Sequence, residues 1–138
     1  MRRYVRWWKE GHWSSTGRCF DIGITTRGQL ERFQRTGEPY DSDIDEDAAA
    51  NGSLMRLAPV AIRWSHDARA VVVHAAASSR TTHPACRPVD ACRLLAAQTA
   101  ALIRGEPAEA VFADAFWDAS VPLHSAVDAI ARGSWRRK

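Results

Sequence analysis

The chain has 138 residues, 46% of them hydrophobic and 25% charged, with a formal net charge of +3. That length supports one domain with a real core, and so small a charge excess gives no ground for nucleic acid as a partner. No stretch approaches the roughly 18 apolar residues of a membrane span, and Met1-Arg2-Arg3 leads into no apolar signal core, so the expectation is a soluble, cytoplasmic chain without a membrane partner.

Helical periodicity dominates the sequence, and no alternating pattern long enough for a sheet strand competes with it. Residues 3–10 read as the end of a helix closed by Gly11, with Tyr4, Trp7 and Trp8 on its apolar side. Ser14-Ser15-Thr16-Gly17 reads as a turn. Thr25 or Thr26 is expected to cap a helix through Leu30 and Phe33 that stops at Gly37, ahead of Pro39. From Tyr40 to Ala50 the chain is small and acidic, and Asp41, Asp43, Asp45, Glu46 and Asp47 are expected to stay in water. The next helix, about 53–65, carries Leu54, Met55, Leu57, Val60, Ile62 and Trp64 and is apolar nearly all round. It calls for neighbours on several sides; too few are available within the chain, so an exposed apolar patch follows. Asp67 is placed to cap a helix holding Val71-Val72-Val73 and Ala75-Ala76-Ala77, ending near Ser79. A longer helix follows over about 86–103, where Val89, Cys92, Ala96, Thr99 and Ile103 recur at spacings of three and four, and Gly105-Glu106-Pro107 ends it. Two shorter helices, 108–117 and 123–132, complete an all-α pattern. No linker divides it, and residues 1–138 are read as a single partial domain.

Four blocks carry a resemblance that covers essentially the whole chain: Cys19-Phe20-Asp21-Ile22-Gly23, Asn51-Gly52-Ser53-Leu54-Met55-Arg56-Leu57-Ala58-Pro59, Thr82-His83, and Gly133-Ser134-Trp135-Arg136-Arg137-Lys138. In content, order and spacing they resemble the ADP-ribosylglycohydrolase family. The resemblance implies a helical bundle and a hydrolase that cleaves the glycosidic bond between ADP-ribose and a protein side chain or small group at a binuclear magnesium or manganese centre. It implies a catalytic role for Asp21, near the scissile sugar. Substrate binding is implied for Asn51, Gly52 and Ser53, whose loop lies along ADP-ribose with backbone N–H groups toward anionic oxygen, and for His83, which lines the cleft. Ile24 stands where the family usually has Asn, and Ala50 where it usually has Gly. The family's metal ligands come from an Asp-Asp-Thr motif upstream and an Asp-x-Asp-Thr motif near the carboxyl end, and this sequence contains neither. The expectation is therefore a truncated, central segment that holds no metal ligand of its own and is inactive alone. Its partners would be ADP-ribose or an ADP-ribosylated protein, and complementing chains that supply the two metal motifs. The alternatives are a non-catalytic module that binds ADP-ribose or a helical partner, and one piece of a split enzyme.

Other chemistry is weaker. Asp41-Ser42-Asp43-Ile44-Asp45 begins like a calcium loop, but its sixth position is Glu46 rather than Gly and its twelfth is Gly52 rather than Glu. His83, Cys86 and Cys92 match no common zinc spacing; with Cys19 they form no Cys-x-x-Cys pair and fit reduced thiols. Arg56 could contact a pyrophosphate, although an arginine on such a helix more often pairs with an internal carboxylate. The six tryptophans are read as core anchors, and the basic residues at both ends as solvated.

Overall fold

The computed structural model describes residues 1–46 and 49–137; Asp47 of the acidic run and Lys138 of the basic end lie outside them. Among the described residues every regular element is helical, in keeping with the all-α pattern. α1 (Arg2–Glu10) ends where expected, because Gly11 takes a left-handed φ of 66° and its N–H bonds the carbonyls of the last turn. A side chain at Gly11 would run into the Gly17 carbonyl of the following turn, so glycine serves both needs there. α2 (Ile24–Thr36) starts earlier than its threonines suggest: Gly23 is the N-cap, no side chain caps the end, and Thr25 and Thr26 lie within the first turn.

The single helix expected over 53–65 is two short ones, α3 (Gly52–Met55) and α4 (Ala58–Arg63). Pro59 explains the break. It has no N–H to donate, and in a continuous helix its ring would strike the carbonyl of Met55, so the chain restarts with proline in the first turn. The break sends Leu57 and Ala61 inward but leaves Met55 81% and Ile62 64% exposed. The segment is therefore not buried on several sides, and it leaves apolar surface in water.

α5 (Ala68–Arg80) and α6 (Cys86–Ile103) form the central hairpin, joined by residues 81–85. Asp67 caps α5 by accepting from the N–H groups of Arg69 at 3.1 Å and Ala70 at 2.8 Å. Small side chains, Ala75 on α5 and Ala96 and Ala100 on α6, permit close approach, and Leu57, Ala61, Val71 and Cys92 fill the space around them. A second cluster of Leu94, Trp117 and Val127 joins α6 to α8 (Ser125–Ala131). Here the expected helix over 108–117 is only α7 (Ala108–Val111), after which the chain turns and Trp117 enters the core, its Nε1–H donating to the Val121 carbonyl at 2.9 Å. A 3₁₀ turn (Ser134–Arg137) follows Gly133.

Of the six tryptophans only Trp117 is buried, while Trp13 is 74% exposed and stacks on His12. The anchor reading fails for Trp13 and Trp135, which are exposed and belong to neither cluster. At the carboxyl end Arg132 pairs with Asp128 and Arg136 with Asp114, so these two cations are engaged rather than merely solvated. No helix among the described residues is long and apolar enough to cross a membrane.

Candidate functional site

The α5–α6 connection places His83 at the meeting point of α2, α3 and the acidic loop. Its main chain is fixed to α5: the N–H donates to the Ser79 carbonyl at 2.7 Å, and Ser79 Oγ donates back to the His83 carbonyl at 3.1 Å. The residue is only 3% exposed. Gly52 lies directly against the imidazole, since a Cβ added there would sit 2.9 Å from His83 Cε1 and 3.0 Å from Nε2. The glycine therefore keeps open the space along the outer edge of the ring.

That edge borders a cavity of about 180 Å³ lined by Thr25 and Gln29 of α2, Asp41, Asp43 and Asp45 of the acidic loop, and His83 with Pro84 and Ala85 at the end of the α5–α6 connection. A larger apolar cavity of about 230 Å³ lies elsewhere, against Val71, Phe116 and Trp117, and contains none of the candidate residues. The acidic loop is not simply solvated. Asp41 accepts from Gln29 Nε2 at 2.8 Å and from the Asp43 N–H at 3.2 Å, with Arg32 Nε 3.4 Å away. The Gln29 bond above all, then these further contacts, hold its carboxyl below the usual range. Glu46 accepts the Cys86 N–H at 2.8 and 3.0 Å, which gives α6 the cap that its own Ala85 lacks.

Behind His83 stands a hydroxyl-lined arginine. Arg56 Nη1 donates to Ser78 Oγ at 2.8 Å and Tyr4 Oη at 3.1 Å; Nη2 donates to the Ser78 carbonyl at 2.8 Å, Thr82 Oγ1 at 2.6 Å and Thr81 Oγ1 at 3.2 Å. The expected internal carboxylate is not found: among the described residues none pairs with it, and its fork is filled by oxygen atoms of the fold. Thr82 Oγ1 lies 2.9 Å from His83 Nδ1. Burial, and then the Arg56 charge, push the imidazole pKa from 6.5 down to about 4, so His83 is neutral at physiological pH.

The other sequence candidates are placed differently. Ser53 is buried, and its hydroxyl is hydrogen-bonded to Ser79 Oγ at 2.9 Å and accepts from Cys92 Sγ at 3.4 Å, so it is spent on joining α3 to the central hairpin. Asn51 is exposed at the start of α3, with no side-chain cap bond. Asp21 is exposed in the segment before α2 and has a left-handed φ of 52°, a conformation that aspartate tolerates better than most residues; it does not line the His83 cavity. The structure thus brings Gly52 and His83 together with the acidic loop. Sequence reasoning did not place that loop at the cleft. The available signal was the hydroxyl-rich run Ser78-Ser79-Arg80-Thr81-Thr82, which says that something polar and buried must be satisfied at this end of α5.

A magnesium or manganese pair requires many converging oxygen ligands. Among the described residues no three His, Cys, Asp or Glu side chains stand together as a metal site. Asp41 is already engaged by Gln29 and Arg32, and His83 is backed by a cation. These residues do not fit a two-cation centre. Calcium and zinc fail for the same reason, and Cys86 and Cys92 differ in placement, the first exposed and the second buried.

A profile of the family described as ADP-ribosylglycohydrolase matches residues 1–137. The chain is 41% identical over 111 residues to the ADP-ribosylarginine hydrolase Tri1 of Pseudomonas putida (strain GB-1), an alignment covering 80% of this chain and 30% of that protein. With the ADP-ribosylarginine hydrolase Tri1 of Serratia proteamaculans (strain 568) it shares 31% identity over 136 residues, 99% of this chain and 36% of that protein. The chain therefore spans about a third of the length of the curated relatives it matches.

Proposed function

The chain belongs to the ADP-ribosylglycohydrolase family, and from that premise we propose that residues 1–138 act as one unit supplying the helical frame and part of the ADP-ribose cleft for removal of ADP-ribose from arginine side chains. The observation that carries this reading is the cavity beside His83, kept open by Gly52 on a family-like Asn-Gly-Ser loop. His83 contacts the ligand at this cavity, the main chain of Asn51 and Gly52 lies along the ligand beside it, and Asp21, which lies outside the cavity, orients the reacting group. Ser53 contributes through its backbone, because its hydroxyl is committed to the core. Magnesium or manganese in the complete family site would supply activation of the attacking water, and since the described residues do not fit that centre, the chain does not turn over substrate alone.

Two measurements test this. Purified chain incubated with ADP-ribosylated arginine protein and magnesium or manganese is expected to release no ADP-ribose, and release by the chain alone overturns the inactive assignment. Adding polypeptides that carry the Asp-Asp-Thr and Asp-x-Asp-Thr motifs is expected to restore release. Calorimetry is expected to detect weak ADP-ribose binding that His83→Ala abolishes; unchanged affinity in that variant removes His83 from the site.

A further inference from the structure

We propose that Arg56 and Thr82 are positioning residues that lock His83 as the tautomer with its proton on Nε2, presenting a single fixed hydrogen-bond donor to the sugar hydroxyls of a ligand in the acidic cavity. The substrate class rests on the function proposed above, whereas the tautomer rests on geometry alone.

The available protons fix the tautomer. Thr82 Oγ1 lies in a residue only 1% exposed, so its hydroxyl proton needs a protein acceptor. Arg56 Nη2 donates to that oxygen at 2.6 Å and, as a guanidinium, cannot accept in return. Among the described residues the one acceptor within reach of the Thr82 hydroxyl is His83 Nδ1, at 2.9 Å. If Nδ1 carried the proton instead, Thr82 Oγ1 would receive two donors and its own proton would be left buried without a partner, the costly case. Arg56 therefore polarises the hydroxyl, the hydroxyl donates to Nδ1, and the neutral ring holds its proton on Nε2.

Nε2 has no hydrogen-bond partner among the described residues, yet none of their buried side-chain nitrogen or oxygen atoms lacks one. Nε2 is thus the accessible atom of an otherwise buried side chain, on the edge that Gly52 leaves open beside the cavity. The cavity chemistry selects the ligand. Asp41, Asp43 and Asp45 repel phosphate oxygens but accept from hydroxyl groups, while Nε2–H donates to a hydroxyl oxygen. The cavity, about 180 Å³ and open to solvent, has room for one sugar, with the rest of a nucleotide sugar extending beyond it. A single ribose, which both accepts and donates, meets these conditions.

The experiment is long-range ¹H–¹⁵N correlation spectroscopy of the full chain near pH 7, reading the protonation of each His83 ring nitrogen. The expected result is a protonated Nε2 and a bare Nδ1, with Thr82→Ser preserving the pattern and Thr82→Val shifting population toward Nδ1–H. A protonated Nδ1 in the unsubstituted chain overturns the relay, and that spectrum is decisive even if Thr82→Val fails to fold. Adding ADP-ribose is expected to move the Nε2 resonance and inorganic pyrophosphate to leave it unmoved. Movement by pyrophosphate overturns the sugar assignment. No movement with ADP-ribose, with the Nε2–H tautomer intact, overturns the proposed function and leaves the relay standing.

Discussion

Acidification from pH 7.5 to 4.5 is expected to destabilise the chain through His83 in a window set by its environment. In the folded state its pKa is about 4, against 6.5 for an unperturbed histidine. Between those values the unfolded chain takes up a proton that the folded chain refuses, so protonation favours unfolding. The contribution is present in full above about pH 6.5 and is lost as pH falls toward 4. At about 1.36 kcal/mol per pH unit the whole effect is about 3 kcal/mol, of which about 2.5 kcal/mol is reached by pH 4.5. The Arg56 guanidinium stands behind the ring, bonded to Thr82, and Asp41, Asp43 and Asp45 line the cavity on its other side. Asp41 loses its own stabilisation on acidification too, but below its ordinary value of 3.8, which separates the two windows. The assay is urea unfolding of the chain and of His83→Gln across the pH series. The free-energy difference between them is expected to shrink by about 2.5 kcal/mol between pH 7.5 and 4.5. A constant difference, or an NMR titration of His83 with a midpoint near 6.5, would refute the reasoning.

Three further outcomes follow from geometry already described. Gly52→Ala drives a methyl group against a ring that Thr82 and the main chain hold in place; we expect a loss of about 1–3 kcal/mol in urea unfolding and weaker ADP-ribose binding by calorimetry. Asp67→Ala removes the cap of α5 and is expected to cost ~1 kcal/mol by the same unfolding assay, with ADP-ribose affinity unchanged. The Cys86 thiol pKa is raised, first by its hydrogen bond to Glu46 and then by burial and nearby acidic charge. Glu46→Gln, in a Cys19→Ser background, is therefore expected to speed iodoacetamide labelling at pH 8, and an unchanged or slower rate contradicts that account.

Features fixed by neighbouring residues were the most legible in the sequence. Gly11 and Gly37 stop their helices and Asp67 caps α5, because each depends on groups within about one turn. The break at Pro59 was equally local, but the apolar periodicity on either side concealed it. Long-range pairing was not legible. Arg56 reaches Tyr4 and Thr82, far away in the chain, and hydroxyl groups outcompete the carboxylate that arginine usually selects because α1 and the end of α5 converge there. The family blocks located His83 and Gly52, yet their physical contact, and the carboxylates across from them, depend on how α2, α3 and the α5–α6 connection fold onto one another.

The bond between Glu46 and the Cys86 amide has a mechanical consequence. It latches the segment carrying the three aspartates to the first turn of the longest helix, so swinging that wall away and fraying the helix start are one event rather than two. The deuterium uptake of a single amide, that of Cys86, should therefore clock every excursion of the wall.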